Sequence, residues 1–327
     1  MFIKNLKLLA LSVIITAIGI SACDENEAEL QAIDEYDPFI TRWEITKASE
    51  SITIPTNSDY SYDYSVDWGD GSDIETHTGN VSHTYAQSGI YTVKIAGQFP
   101  AIYFGNGDPK LSISRLSILD VISWGGIEWK TMEHAFQDCS NLKVTAIDAP
   151  DLSEVRDMSG MFAYASSFNQ DLSHWDVSKV EDMSDMFAYA SSFDQDLSDW
   201  DVSKVTNMAG MFEGAISFNQ PLNWDVSSVA YMDGMFSVAT SFNQPLDWDV
   251  SSVTSMTYMF YITFSFNQPL NWDVSSVTDM KSMFRKASSF DQDLSGWNTE
   301  NVTNCTSFSY KSALEESHLP NKGCFAP

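Results

Sequence analysis

The stretch FNQPLNWDVSSV at residues 218–229, followed by AYMDGMFSVA at residues 230–239, is one unit of a repeat. Similar units occur on both sides of it, each with a Phe, a Trp and two Met residues three positions apart. The Trp residues recur every 24 or 25 residues, at Trp175, Trp200, Trp224, Trp248, Trp272 and Trp297. A fixed period of this length predicts a stack of similar units that together bury one continuous core.

Each unit contains two hydrophobic periods. Residues 222–226 alternate apolar and polar side chains, which predicts a short strand, and residues 229–239 carry apolar side chains at helical spacing. Ser227 or Ser228 is suitably placed to be the N-cap of that helix. The pattern predicts a mixed α/β repeat solenoid, leucine-rich-repeat-like, with one short strand and one helix per 24–25 residues.

An Asp follows most of the repeated Trp residues and forms a candidate binding row. Its members are Asp176, Asp201, Asp225, Asp249 and Asp273. Because Trp and Val on either side belong to the predicted buried face, each Asp should point away from the core. The row is compatible with a solvated face, a row of divalent-cation ligands or part of a binding surface.

Three linked segments of the unit resemble the BspA-like family of leucine-rich-repeat surface proteins, which includes a mycoplasma-type repeat. They are Phe-Asn-Gln-X-Leu, Trp-Asp-Val-Ser and Met-X-X-Met-Phe-X-X-Ala, and they place the repeats at residues 131–310. The resemblance implies attachment to an extracellular protein or glycan surface through the extended face of a solenoid. Residues 98–130 and 311–327 are then expected to be its N-terminal and C-terminal caps.

A small β-domain is expected at residues 41–97. The segments VDWGDGS at 66–72, HTY at 83–85 and SGIYTV at 88–93 resemble the PKD domain, an immunoglobulin-like sandwich. Asp67, Asp70 and Asp73 do not have the spacing of an EF-hand calcium loop. We therefore interpret these residues, and likewise His83, as parts of turns, and predict no metal site.

The first 23 residues resemble a bacterial lipoprotein signal. A short basic region precedes an apolar run that is too short for a membrane span, and ISAC at residues 20–23 ends it. The resemblance implies a signal peptide at 1–22, lipid attachment at Cys23 and an acidic tether at 23–40. The protein is then expected in the cell envelope, lipid-anchored, on the exposed side of the outer membrane.

Export permits a disulfide, and the sequence offers three further cysteines. Cys305 occupies the place of a repeated Met, and Cys324 follows in the terminal cap. We expect Cys305 and Cys324 to pair. Cys139 replaces a small core Ala and is expected to be buried and free.

Composition limits the functional classes. The chain of 327 residues has a net charge of −28, which argues against a nucleic-acid partner. The sequence shows no nucleophile motif, and repeated residues are poor catalytic candidates, so no enzyme and no cofactor are predicted. We expect a binding or adhesion module on the cell surface. The alternative is polysaccharide capture, with exposed aromatic side chains as the platform and the PKD-like domain as a spacer.

Overall fold

The computed structural model describes residue 33, residues 37–105 and residues 107–326, and the fold in these residues is mostly β and irregular. Short 3₁₀ turns lie at Pro109–Leu111, Glu316–His318 and Gly323–Phe325, and one short helix, α1, has the bounds Ser112–Ser117. The strands are β1 (Phe39–Ile45), β2 (Glu50–Ile54), β3 (Asp63–Asp67), β4 (Glu75–His77), β5 (Val81–Tyr85), β6 (Gly89–Gln98), β7 (Ile118–Ser123) and β8 (Lys143–Val144).

Strand β1 is at the centre of the N-terminal half. The main sheet has the order β4-β3-β6-β1-β7-β8, and β2 pairs with β5 in a second, two-stranded sheet. Phe39, Trp43 and Ile45 alternate along β1 with more exposed residues, and all three are buried. This period of two is what a strand with one face on a core requires.

The prediction of a self-contained PKD-like sandwich at residues 41–97 is wrong. Strand β7, from the predicted cap, pairs antiparallel with β1 and places Val121 opposite Thr41. Strand β8, beside the first repeat unit, pairs in parallel with β7 and places Val144 opposite Val121. The sheet therefore continues past residue 97, because β7 satisfies the backbone groups that β1 would otherwise expose at an edge.

The repeats form a column of stacked units. One residue of each unit makes an isolated parallel β-bridge with its equivalent in the next unit, and these residues are Asp157, Asp182, Asn207, Tyr231, Ser255, Asp279 and Asn304. The segment at 232–239 shows the hydrogen bonding beyond the bridge. The N–H groups of Gly234, Phe236 and Val238 donate to carbonyls of the next unit. The intervening N–H groups donate three residues back within the same segment.

The predicted α/β solenoid is wrong, because residues 145–315 contain neither a helix nor an extended strand. Overlapping turns replace the predicted helix, and they also bring residues three and four apart to the same side. The backbone cannot be helical, since Gly234 and Val238 have φ angles of 63° and 60°. Ser227 is no N-cap either, because its N–H donates to Asp225 Oδ1 in a local turn.

Aromatic side chains fill the column in register. Phe212, Phe236 and Phe260 stack with centroids 5.8 and 5.7 Å apart, and this gives the spacing of adjacent units. Trp224 and Trp248 stack in the same way, 6.5 Å apart. The repeated Trp and Met side chains are all at most 6% exposed, as expected for core residues. Among the described residues, no helix has the length and apolar character needed to cross a membrane.

Candidate functional site

The predicted acidic row lies on the surface, with one exposed Asp per unit. In each case Oδ1 accepts the backbone N–H of the Ser two residues later, at 3.0 or 3.1 Å. The hydroxyl and the N–H of that Ser stabilise the charged carboxylate and lower the pKa of all five Asp residues. Each Asp therefore has a structural role in its own turn.

No group of three or more acidic, His or Cys side chains with metal-binding geometry occurs in the described part of the chain. Asp67 and Asp70 likewise accept N–H groups two residues later, from Gly69 and Ser72. Asp70 Oδ2 also lies 2.8 Å from Nε2 of His83, which belongs to strand β5, so the interpretation of His83 as a turn residue is wrong. Asp73 takes no part in these bonds.

The other predicted site residues are cysteines. The structure joins Cys305 to Cys324 by a disulfide, with the Cα atoms 6.1 Å apart. Cys139 is free and buried, and burial raises the pKa of its thiol well above the ordinary value. Cys23, the expected lipid attachment site, lies outside the described residues, as does nearly all of the expected tether.

The overlapping turns, such as residues 232–239, form one side of the column, which we call the turn face. A cluster that the sequence analysis missed lies on this face in the last three units. We call it the cation–tyrosine patch. It consists of the cations Lys281, Arg285, Lys286 and Lys311 and the rings of Tyr258, Tyr261 and Tyr310. Each cation lies over at least one ring, at the outer range of a cation–π contact.

Arg285 is at the centre of the patch. Its Cζ atom lies 5.9 Å from the centroid of the Tyr261 ring and 5.4 Å from that of Tyr310. Lys286 Nζ lies 5.9 Å from the Tyr261 centroid, and Lys311 Nζ lies 5.4 Å from that of Tyr310. Two rings thus bracket one guanidinium group and hold two ammonium groups beside it.

The column fixes this arrangement through its backbone. Tyr261, Arg285 and Tyr310 occupy the same position in three successive units, because the N–H that follows each of the first two donates to the carbonyl of the next. The bonds run from Ile262 to Arg285 at 3.0 Å and from Lys286 to Tyr310 at 2.9 Å. Side chains at equivalent positions therefore lie one unit spacing apart.

Among the described residues, no carboxylate lies within 4.0 Å of the charged nitrogens of the four cations, although the backbone N–H of Lys281 donates to Asp279 Oδ1 at 2.9 Å. Acidic residues occupy the same face of earlier units, where Glu213 holds the position equivalent to Arg285. Its Oε1 accepts the hydroxyl of Tyr189 at 2.8 Å. The turn face thus carries acidic residues in its middle units and the four cations in its last two.

Two buried polar atoms at the patch have no hydrogen-bond partner among the residues that the structure describes. They are Oγ of Ser282 and Nε of Arg285. Ser282 is 1% exposed and lies in the turn between Lys281 and Arg285. An unpaired buried polar atom is costly, so these two atoms lower the stability of the turn at the patch.

The patch could have been found in the sequence. Aligning the units by their Met pairs places Tyr261, Arg285 and Tyr310 in one column and Ile262, Lys286 and Lys311 in the next. The consensus of the repeat does not show the patch, because the residues of the patch lie at positions that differ between units. Those variable positions on the turn face carry the local chemistry.

The family comparison covers the repeats. A family model described as "Mycoplasma protein of unknown function, DUF285" matches residues 130–247 and 221–319, more than half of the chain. No curated protein matches the chain. These findings correct the interpretation as a BspA-like leucine-rich-repeat lipoprotein with a PKD-like domain, since the match is to a family of unknown function and the units lack that architecture. The chain belongs to the DUF285 family.

Proposed function

We propose that this protein is a non-catalytic binding module of the cell envelope, which attaches to an extracellular protein or glycan through the turn face of its repeat column. The observation that carries the proposal is the cation–tyrosine patch, where four cations lie over tyrosine rings and have no ion-pair partner among the described residues. Rigidly placed charges lose little conformational entropy on binding, which favours recognition.

Capture of a polysaccharide is the second candidate, and the exposure of the aromatic side chains bears on it. The repeated Trp residues are at most 6% exposed and do not offer a sugar platform. Tyr residues take that place, since Tyr310 is 52% exposed and lies beside two cations. Polysaccharide capture is therefore proposed through tyrosines on the turn face.

The proposal of a non-catalytic role is supported by the chemistry of the strongest nucleophile. The thiol of Cys139 is buried, and its raised pKa keeps it protonated near neutral pH. The location in the cell envelope is proposed from residues 1–23, which lie outside the described residues. Nucleic acid is not proposed as a partner, because a long polyanion would meet the acidic units of the turn face in a chain whose net charge is −28.

Binding of the full chain to arrays of extracellular proteins and of glycans tests the proposal, with and without a chelator of divalent cations. We expect saturable binding to members of at least one array, unchanged by the chelator because the patch uses side-chain cations. Absence of saturable binding to both arrays would contradict a binding function. Binding that is lost with the chelator would indicate that the acidic row, and not the patch, is the binding site.

A further inference from the structure

We propose that the cation–tyrosine patch binds a short stretch of an acidic polysaccharide through its carboxylate or sulfate groups, an inference that rests on the proposed binding function. The ligand groups required are oxyanions, since all four charged side chains of the patch are hydrogen-bond donors and none accepts. Arg285 offers a planar fork that suits two oxygens of one carboxylate or sulfate, and the lysines act as point charges on either side.

The tyrosine rings prepare the cations for such a ligand. Tyr261 and Tyr310 hold the guanidinium group of Arg285 between them, so its orientation is set before binding. A cation–π contact uses no N–H group as a hydrogen-bond donor, so the terminal N–H groups of the guanidinium remain available to a ligand. Nε of Arg285 is buried and has no hydrogen-bond partner among the described residues, so the ligand is contacted by the other N–H groups of the guanidinium.

The size of the patch favours a polysaccharide over a folded protein. It spans three units whose core rings are 5.4 and 5.3 Å apart, so it is only a few sugar residues long. A stable protein interface buries about 800 Å² on each partner around an apolar centre. Tyr310 is the only tyrosine of the patch that is more than half exposed. Acidic sugars combine an apolar C–H face with an anionic group, which matches rings alternating with cations.

The negative net charge does not prevent this binding. Charges in solution are screened over about 8 Å at physiological ionic strength. Asp233, on the acidic part of the turn face, is two units before Lys281, and the core rings of those units are spaced by 5.7 and 5.4 Å. The patch therefore acts locally. The same distance limits the ligand to a short stretch, because a longer polyanion lying along the column would meet the acidic units.

The test measures binding of the full chain to two pairs of matched probes by titration calorimetry. Oligogalacturonate is compared with its neutral methyl ester, and dextran sulfate with dextran. We expect binding of at least one charged probe, weakening with added salt, and none of either neutral probe. The two charged probes separate carboxylate from sulfate as the recognised group. Polyglutamate is the probe for an acidic peptide.

The variant is Lys281→Gln/Lys286→Gln, and the matched control is Lys179→Gln/Lys204→Gln, which removes the same charge from two exposed lysines in successive earlier units. The patch variant loses two charged contacts with the ligand, so we expect its affinity to fall at least about tenfold and that of the control to change little. Circular dichroism verifies that both variants fold.

Three results would overturn the inference. If the patch variant and the control lose the same affinity, the effect is one of net charge alone. If the protein binds polyglutamate as tightly as the charged polysaccharides, the patch is a site for acidic peptides. A dimer in sedimentation that the patch variant alone dissociates would assign the patch to a second copy of the chain. If the arrays show a partner whose affinity the patch variant leaves unchanged, the binding function stands and the patch is not its site.

Discussion

The indole Nε1 of Trp224 donates a hydrogen bond of 2.8 Å to the backbone carbonyl of Leu197, which belongs to the preceding unit. Equivalent bonds join Trp200 to Leu172, Trp248 to Leu222, Trp272 to Leu246 and Trp297 to Leu270. Each Trp therefore fills the core of its own unit and also satisfies a backbone acceptor of its neighbour. Trp175 begins the series, and its Nε1 is buried without a partner.

Replacing Trp224 by Phe is expected to lower the free energy of unfolding by more than replacing Trp175 by Phe. Both changes remove similar aromatic volume from buried sites. Only Trp224→Phe removes a buried hydrogen bond, which contributes about 0.5–1.5 kcal/mol, while the carbonyl of Leu197 keeps the backbone N–H of Trp200 as a donor at 3.1 Å. Urea unfolding followed by circular dichroism measures the difference. Equal losses in the two variants would show that the indole hydrogen bond contributes nothing.

The buried set of the column was predictable from the sequence, and its backbone was not. Met232, Met235 and Phe236 are all fully buried, as their apolar spacing predicts. That spacing fits a helix and overlapping turns equally well, since both bring residues three and four apart to one side. What separates them is the partner of each N–H group. The N–H of Phe236 donates to Met259 in the next unit, a bond that no local pattern encodes.

The same limit applies to the N-terminal sheet and to the patch. The side-chain hydrogen bond between Arg42 and Asp120 joins β1 to β7 across 78 positions of sequence, and the local motifs around residues 66–93 give no sign of it. The cation–π contacts of Arg285 depend on residues one unit away on either side. Contacts between equivalent positions of successive units can be predicted from the sequence, but only when the units are aligned position by position.

Two glycines of one turn provide a comparison of steric effects. Gly69 and Gly71 have φ angles of 73° and 84°, so alanine is strained at both. A Cβ atom at position 69 would approach the backbone carbonyl oxygen of Thr92 within the contact distance, while the same atom at position 71 has open space. Gly69→Ala is therefore expected to destabilise the fold by ~1–3 kcal/mol more than Gly71→Ala. Thermal unfolding of the two variants measures this, and similar melting temperatures would contradict the contact.

The serines of the acidic row are expected to affect the stability of the fold at low pH. In Ser203→Ala/Ser227→Ala, Asp201 and Asp225 lose the hydroxyl bonds that contribute most to their lowered pKa values. A carboxylate whose pKa is lower in the folded state adds stability above its unfolded pKa, about 3.9, and that stability is lost as the pH falls through the folded value. The variant should therefore lose less stability than the unmodified protein as the pH falls below about 4.

Urea midpoints measured between neutral pH and the acid limit of folding test this expectation. Ser228→Ala is the control, because its hydroxyl donates to the carbonyl of Ser203 and not to a carboxylate. The control should shift the midpoint equally at every pH. A pH dependence in the double variant identical to that of the unmodified protein would show that the serine hydroxyls do not stabilise the charged carboxylates.

The cysteines are expected to differ in their reaction with iodoacetamide. Cys305 and Cys324 are joined, and Cys139 is buried with a raised pKa, so none of these three thiols should be alkylated in the native protein. Reduction should expose Cys305 and Cys324, which are partly accessible, while Cys139 should react only after unfolding. Mass spectrometry of peptides from each condition identifies the labelled sites.

Reduction should also lower stability, because the disulfide closes a loop between residues 19 apart. A loop of this size corresponds to about 3 kcal/mol of unfolded-chain entropy. The loss should concentrate at the C-terminal end of the column, where the N–H of Cys324 donates to the carbonyl of Val302. Hydrogen exchange at residues 299–326 measures it, with residues 200–240 as the internal reference. Protection that falls equally in both regions would mean that the column unfolds as one unit and that the disulfide does not act locally.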